Sequence, residues 1–340
     1  MKLINFRNPA IVAGFFVLLT TFFSKFLKKN SHHIHSLYFK PRIPFNASAL
    51  LLEAFTGIDD LFVANFGCGR SGNDILNNVL EKSPKEIQSR VRGVYFDPKS
   101  CDLPLSGLTF INSALDAKTA ARFVTAGVVR TSSFWILKVD IDSIDCDIVR
   151  EILRAGHHPA VIIIETMGCF PPPVRFELFS TSHSMSHEPF SAINHGESPH
   201  PQNCCLYGCS VQSAIDVVTE TGLYVAVRLY EGDAWFVRKD TANRMDVSSG
   251  MFDPSLAAGD ATFAFQSEEA AFMKGYLAIF NLHLEHMFDW TRGLQTDAPK
   301  TFDHICETFS KRCNHTRLRE SSFQLSLDAY GALTCPWHVG

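Results

Sequence analysis

The feature that most constrains the fold is an alternation of short apolar runs with helical patterns between residues 61 and 165. Helical spacing of apolar residues is found in segments such as SGNDILNNVLEK and CDIVREILRAG. The apolar runs are LFVANF, RGVYFD, LTFINSA, FWILKVDI and AVIIIE. Near-continuous apolar strands that alternate with helices are typical of a parallel sheet covered on both faces. We therefore predict an α/β fold, Rossmann-like and doubly wound, with a mainly parallel sheet.

The chain departs from this alternation after the fifth run. CFPPPVRFELF is interpreted as a proline-bounded loop, and residues 180–205 form a polar stretch rich in Ser, His and Pro. A loop of that length within a compact domain is usually functional or disordered. A further helix is predicted in YGCSVQSAIDVVTETG. The segment YVAVRLYEGDAWFVRKD predicts an antiparallel hairpin at the C-terminal edge of the sheet.

The N-terminal region carries an uncharged segment, residues 8–24, whose centre reads AIVAGFFVLLTTFF. Its length is at the short end of what spans a bilayer, and it predicts a single-pass membrane anchor. A signal peptide and a buried helix are the alternatives, although no small-residue cleavage site follows the run. The positive charge is heavier on the C-terminal flank, which favours a cytosolic domain. The sequons Asn46-Ala47-Ser48 and Asn314-His315-Thr316 favour the opposite side, so the topology stays open.

Length and charge bound the remaining possibilities. The 340 residues are 46% hydrophobic, a composition typical of a globular protein. The formal net charge of -4 shows no excess of basic residues that would indicate binding to nucleic acid. Ten cysteines are many for a cytosolic protein, and disulfides require an oxidising compartment. We predict four segments: an anchor or signal peptide (1–30), a linker (31–50), a Rossmann-like domain (51–240) and a mostly helical extension (241–340).

A glycine-rich turn follows the first predicted strand. Gly67, Gly69 and Gly72 fit the pattern G-x-G-x-x-G between a strand and a helix, where glycines let the backbone approach a ligand. Asp97 closes the second predicted strand and is placed to accept the hydroxyls of an adenosine ribose. Both a nicotinamide dinucleotide and S-adenosylmethionine contain an adenosine. The alternative is a tight turn with a helix-capping or solvated aspartate.

Acidic residues gather where the fourth and fifth predicted strands end. Asp140 and Asp142 share one face of their strand and lie at its carboxyl end, where open parallel sheets bind ligands. They are candidate cation ligands, substrate-orienting groups or a general base. Lys138 lies on the same face, and its pairing with Asp140 is the structural alternative. Glu165 ends the fifth strand beside this site.

Two further acids need only a structural explanation. Asp145 and Asp147 fall in the first turn of the helix that follows the fourth strand, where acids interact favourably with the helix dipole. Ser143 is predicted to be the N-cap of that helix.

The acidic segments resemble the FkbM-type methyltransferases. LKVDIDSIDCDIV followed by AVIIIE is similar to the family pattern K-x-D-x-[D/E]-G-x-E and its acid after the fifth strand. Lys138, Asp140, Asp142, Asp145 and Glu165 fall on that pattern, with Ser143 where the family prefers Gly. The turn from Asn65 to Gly72 is similar to the family's acid-x-Gly-Ala-Asn-x-Gly turn, with Asn65 in place of the acid and Gly69 in place of the Asn. The resemblance covers residues 61–165 and extends, through YGCSVQSAIDVV and DAWFVR, to about Arg238.

The resemblance implies methyl transfer from S-adenosylmethionine to an oxygen of a small molecule or a glycan. It implies a donor site formed by Asn65, Gly67, Cys68, Gly69, Gly72 and Asp97. The candidate catalytic residues are Asp140, Asp142 and Glu165. Asp140 or Asp142 would deprotonate or orient the acceptor hydroxyl, either directly or as ligands of a divalent cation such as magnesium. Two alternatives remain, a catalytically silent membrane-tethered binding protein and a nicotinamide-dependent oxidoreductase.

Overall fold

The structure is a computed structural model. It describes residues 46–54, 61–68, 74–97, 101–113, 116–128, 133–141, 143–166, 170–180, 208–230, 232–245, 253, 256, 290, 292–312 and 322–327. The helices are α1 (Ala47–Ala54), α2 (Ile75–Lys82), α3 (Lys85–Gln88), α4 (Ala117–Val128), α5 (Asp145–Arg154), α6 (Val211–Thr219), α7 (Lys239–Ala242) and α8 (Ala298–Arg312). The strands are β1 (Leu61–Phe66), β2 (Val91–Phe96), β3 (Leu108–Ile111), β4 (Phe134–Val139), β5 (Val161–Glu165), β6 (Arg175–Phe179), β7 (Tyr224–Tyr230), β8 (Asp233–Arg238) and β9 (Ser322–Ser326).

Seven strands form one sheet in the order β3-β2-β1-β4-β5-β8-β7. The pairs among β1 to β5 are parallel, and β8 runs antiparallel to both β5 and β7. The predicted Rossmann-like α/β fold with an antiparallel hairpin at one edge is therefore confirmed. The strand order reverses between β1 and β4, and ligands of open α/β sheets bind outside the carboxyl ends of the strands at such a switch point.

Both faces of the sheet are covered by helices. Because side chains alternate along a strand, Phe62 and Leu137 point to the face packed by α4, α5 and α6. Val63 and Ile136 point to the opposite face, which packs against α1 and α2. Burial on both faces explains why these strands appear in the sequence as continuous apolar runs.

The region after β5 differs from its predicted form. Part of the segment interpreted as a proline-bounded loop forms strand β6, which pairs antiparallel with β9 near the C-terminal end of the chain. Phe176 and Leu178 of β6 are buried in the core, and the residues that alternate with them, Arg175, Glu177 and Phe179, are only half-buried. The loop interpretation was wrong here because a short strand becomes stable only through a partner, and this partner is distant in sequence.

Disulfides fix two of the connections. Cys68 after β1 is bonded to Cys101 in the loop between β2 and β3. Cys146 in α5 is bonded to Cys209, which precedes α6. Both bonds join residues that are separated in sequence but adjacent in the fold.

Among the described residues, no helix has the length and apolar character needed to cross a membrane. The predicted anchor (1–30) and the polar stretch beyond residue 180 lie outside the described residues.

Candidate functional site

Gly67 allows three strand ends to meet. Its φ of 84° lies in the left-handed region. Its N–H donates to the carbonyl of Phe96 at 2.9 Å, and the N–H of Asp140 donates to the carbonyl of Phe66 at 2.9 Å. A Cβ at position 67 would lie 1.5 Å from the carbonyl oxygen of Asp140. Glycine is therefore required here both by the backbone conformation and by the space available.

Asp97 lies at the same edge, directly after β2. It is half-buried, and its N–H donates to the carbonyl of Ile111 at 3.4 Å. The rings of Phe66 and Phe96 stack with centroids 4.4 Å apart, which fixes the ends of β1 and β2 relative to each other. Gly67 and Asp97 are therefore neighbours at the switch point.

Cys68 contributes to the same turn through its disulfide. Its side chain is 1% exposed and bonded to Cys101. The bond ties the turn after β1 to the loop after β2, so only the main chain of Cys68 is left to face a ligand. The rest of the predicted turn, including Gly69 and Gly72, lies outside the described residues.

A group of polar side chains, here called the carboxyl-edge cluster, lies at the ends of β1 and β4. It consists of Asn65, Asp74, Lys138 and Asp140. The Nζ of Lys138 lies 2.6 Å from Oδ2 of Asp140 and 3.3 Å from Oδ2 of Asp74. The Nδ2 of Asn65 donates to the same oxygen of Asp74 at 3.2 Å. The structural alternative for Asp140, its pairing with Lys138, is thus realised.

The charge state of this cluster follows from its surroundings. Lys138 is 3% exposed, whereas the side chain of Asp140 is 37% exposed. Burial alone would lower the pKa of the Lys138 ammonium, but the carboxylates of Asp140, Asp74 and Asp233 outweigh burial and raise the pKa above its usual range. Lys138 is therefore charged although it is buried, and it pairs with the carboxylate of Asp140, which solvent reaches.

Asn65 is fully buried, and its amide nitrogen is engaged by Asp74. It lies beside Tyr95 in the parallel register of β1 and β2. Burial, reinforced by the negative charge of Asp74, raises the pKa of the Tyr95 hydroxyl above its usual range. Asn65 therefore supports the carboxyl-edge cluster through its hydrogen bond to Asp74. A direct contact between Asn65 and S-adenosylmethionine stays a prediction.

Asp74 was missed by the sequence analysis. It is the N-cap of α2, where its carboxylate accepts the N–H of Asn77 at 2.9 Å, and it is also the second partner of Lys138. The signal was available, because an aspartate directly before a helical pattern is a preferred N-cap. Its pairing with Lys138 depends on tertiary structure.

The turn between β4 and α5 is held by Asp145. This buried carboxylate accepts the N–H of Ile141 at 2.9 Å and the N–H of Ser143 at 3.0 Å. The predicted N-cap role of Ser143 was wrong, because the N-cap is Ile144 and makes no side-chain capping bond. The structural role of Asp145 is as expected, and it shapes the turn that carries Asp140.

Of the other two predicted catalytic residues, only Glu165 lies within the described residues. Asp142 lies outside the described residues. Glu165 ends β5, the neighbour of β4, and pairs in register with Asp233 of β8. The carboxyl ends of β4 and β5 therefore bring Asp140 and Glu165 to the same edge of the sheet.

No group of three or more metal-ligating side chains occurs within the described ranges. Asp140 already has an ammonium at 2.6 Å, and this positive charge opposes a cation at the same carboxylate. The described residues do not by themselves make a cation site, so the ligand roles of Asp140 and Asp142 stay predictions.

A second charged region lies elsewhere, between α5, α6 and β6. This arginine cavity has a volume of about 760 Å³ and is lined by Asp147, Arg150, Arg154, Arg175, Glu177 and Asp216, among others. Arg150 pairs with Glu177 and Asp147, and Arg175 pairs with Asp216. Asp147 also accepts the N–H and hydroxyl of Ser180. Its charges hold structural elements together, in agreement with the structural role expected for Asp147.

Comparisons with known proteins give a limited result. No protein family matches the chain, and no curated protein matches it. The chain is similar to the MycE methyltransferase from the mycinamycin biosynthetic pathway in complex with magnesium and SAH, with 16% identity, a TM-score of 0.33, and coverage of 61% of this chain and 53% of that one. A complex of the same enzyme with magnesium, SAH and mycinamycin VI has 16% identity, a TM-score of 0.32 and coverage of 61% and 52%. The chain spans about half the length of these structures, and FkbM membership stays a prediction.

Proposed function

We propose that the protein is an S-adenosylmethionine-dependent methyltransferase that methylates a hydroxyl oxygen of a small molecule or a glycan. The observation that supports this most directly is the meeting of Gly67, Asp97 and Asp140 at the point where the strand order reverses. Ligands bind to open α/β sheets at this place. Binding of an adenosine requires a turn whose backbone can approach the ligand closely and an acidic side chain that accepts hydrogen bonds from the ribose hydroxyls.

The electrostatics favour a methyl donor over a dinucleotide. A dinucleotide places its pyrophosphate at the N-terminus of the helix that follows β1. Here that position is taken by the carboxylate of Asp74, which caps α2 and is 5% exposed. Its negative charge opposes a pyrophosphate, whereas a sulfonium is positively charged. The described residues therefore fit S-adenosylmethionine better than a nicotinamide cofactor.

The residues predicted to bind S-adenosylmethionine would surround its adenosine. The carboxylate of Asp97 would accept the ribose hydroxyls, and the main chain at Gly67 and Cys68 would line the adjoining edge. Gly69 and Gly72 would continue the same turn, and Asn65 would support it from the buried side. S-adenosylmethionine, when bound, supplies an electrophilic methyl group on a positively charged sulfur.

Asp140 is suited to orient the acceptor. Its carboxylate is partly exposed and is fixed from behind by Lys138. It would accept a hydrogen bond from the acceptor hydroxyl and align the oxygen for in-line attack, which is most of what this reaction needs. The hydroxyl proton would pass to one of the carboxylates predicted at this edge, Asp140, Asp142 or Glu165, or to water.

The test is calorimetric titration of the full-length protein, purified without reductant, with S-adenosylhomocysteine, S-adenosylmethionine and NAD. We expect the first two to bind and NAD not to bind. Replacing Asp97 with Ala removes hydrogen bonds to a charged acceptor, each contributing about 1.5 to 3 kcal/mol. The affinity should therefore fall by at least about 10- to 100-fold, which is the loss expected for one such bond.

Asp102→Ala is the matched control, because Asp102 is an exposed aspartate five residues further along the same loop. It should bind the donor as the unchanged protein does. If the folded protein binds neither S-adenosylmethionine nor its product, the proposal fails. Donor binding without methyl transfer to any of a panel of hydroxyl acceptors would instead indicate the catalytically silent binding protein.

A further inference from the structure

The cysteines indicate the compartment in which the domain folds. Five of them lie within the described residues, and all five are disulfide-bonded. They are Cys68, Cys101, Cys146, Cys209 and Cys306. Cytosolic thiols are kept reduced, whereas disulfides form and persist in secreted proteins and in the lumen of the secretory pathway.

The bonds are part of the folded core rather than surface additions. Cys68 is 1% exposed, and Cys146 and Cys209 are fully buried. They close loops of 33 and 63 residues between different structural elements. Loops of this length restrict the unfolded chain strongly in the chain-entropy account. Their contribution is a large part of the stability of an ordinary domain.

The first sequon lies on the outer surface of the same domain. Asn46 and Ser48 are exposed, while Ala47 and Leu50 are buried against the core. The Oδ1 of Asn46 accepts the N–H of Ala49 at 2.9 Å and so caps α1. This bond uses the amide oxygen and leaves the nitrogen, the atom that carries a glycan, outside the cap.

We propose that the domain lies on the lumenal or extracellular side of the membrane and that Asn46 carries an N-linked glycan. The co-substrate would be an oligosaccharide on a lipid diphosphate. The amide nitrogen of Asn46 forms a bond to the anomeric carbon, the bond from that carbon to the diphosphate oxygen breaks, and the lipid diphosphate leaves. The amide proton passes to a base of the transferase. This proposal is independent of the methyltransferase proposal.

The charges beside the predicted anchor do not oppose this orientation strongly. Lys2 and Arg7 precede the uncharged segment, and Lys25, Lys28 and Lys29 follow it. The difference of one charge is a weak orienting signal. A cleaved signal peptide, the alternative for this segment, would deliver the domain to the same side.

The glycan is tested by expressing the full chain in eukaryotic cells and comparing gel mobility before and after peptide N-glycosidase digestion. The second sequon is removed in all samples by Asn314→Gln. We expect digestion to increase the mobility of this protein. Asn46→Asp should abolish the increase while keeping the helix cap, since Asp is an equally good N-cap.

A matched pair at Ser48 separates the sequon from the fold. Ser48→Thr keeps the sequon and should keep the glycan, whereas Ser48→Ala should lose it, and the side chain is exposed in both cases. A digestion-sensitive shift that persists in Asn46→Asp would overturn the assignment of the site.

The compartment is tested by quenching cells with acid, denaturing the protein, alkylating its thiols with and without a reductant, and mapping the labelled cysteines. We expect Cys68, Cys101, Cys146 and Cys209 to be labelled only after reduction. Labelling of these four without reductant, in protein that shows no glycan, would place the domain in a reducing compartment and overturn the proposal.

Discussion

The carboxyl-edge cluster and the arginine cavity are both charged, but their charges are balanced differently. In the cluster, one buried ammonium serves Asp74 and Asp140, and the second of these is 37% exposed. In the cavity, Arg150 and Arg175 pair with carboxylates on other elements, and these pairs join α5 to β6 and β6 to α6. The cluster therefore retains a carboxylate that solvent reaches, whereas Arg150 and Arg175 of the cavity are paired with Glu177 and Asp216 of the same cavity.

This difference distinguishes a candidate ligand-binding site from a group of structural ion pairs. The arginine cavity does not lie at the switch point of the sheet, and the ion pairs of Arg150 and Arg175 join structural elements without a ligand. The carboxyl-edge cluster lies where the fold directs ligands and ends in an accessible acid. Each region also has its own disulfide, Cys68–Cys101 at the cluster and Cys146–Cys209 beside the cavity.

The largest effect is expected for Gly67→Ala. Its Cβ would lie 1.5 Å from the carbonyl oxygen of Asp140, and its φ of 84° is already unfavourable for alanine. We expect a loss of more than about 4 kcal/mol in the free energy of unfolding, which is exceptional for one substitution. Gly156→Ala is the control, because Gly156 has a φ of 83° with nothing within 4 Å. It should lose only about 1 to 2 kcal/mol in urea unfolding.

Lys138→Met comes next, because it leaves Asp74 and Asp140 without their buried cation. Removing one partner of a buried ion pair costs about 3 to 5 kcal/mol. Arg154→Ala breaks an exposed pair with Glu151, in which the arginine side chain is 66% exposed, and should cost at most about 1 kcal/mol. Thermal and urea unfolding of both variants would measure the contrast. Equal effects would contradict the expectation that the buried ion pairs of Lys138 contribute more to stability than the exposed pair of Arg154.

The two disulfides should have similar effects on stability and different effects on binding. Chain entropy predicts that Cys68→Ala with Cys101→Ala, and Cys146→Ala with Cys209→Ala, each lose about 3.5 to 4.5 kcal/mol. Only the first pair should also weaken the binding of S-adenosylhomocysteine, because it frees the turn beside Asp97. Calorimetry at a temperature where both variants remain folded makes the comparison. If removal of either disulfide weakened the binding of S-adenosylhomocysteine equally, the Cys68–Cys101 bond would have no specific role in positioning the turn beside Asp97.

The smallest effect is a pH dependence at Glu177 in the arginine cavity. Burial raises the pKa of this carboxyl group above the ordinary 4.5, although Arg150 partly opposes the shift. The folded state then binds the proton more tightly than the unfolded state, so Glu177 contributes less stability as the pH rises through the interval above 4.5. Glu177→Gln should remove this component. Urea unfolding between pH 4 and 7 would reveal it, and an unchanged pH profile would contradict it.

Much of the site was predictable because its parts are local in sequence. Gly67 could be inferred from its place between a strand and a helix, and Asp97 and Asp140 from their positions where apolar runs end. The partner of Lys138 was only half predictable. Asp140 is two residues away on the same strand face, whereas Asp74 reaches Lys138 from another element. The disulfide pairs and the β6–β9 pairing escaped prediction for the same reason.

Local sequence is sufficient to specify the alternation of strands and helices, the glycine at a crowded turn and the acids at the strand ends. These features depend on side-chain periodicity and backbone conformation, which act over a few residues. Only the tertiary structure decided that Asn65 is buried against Asp74, that Lys138 is shared by two acids and that Cys68 meets Cys101. These contacts join residues distant in sequence, and their energies depend on the burial that the completed fold creates.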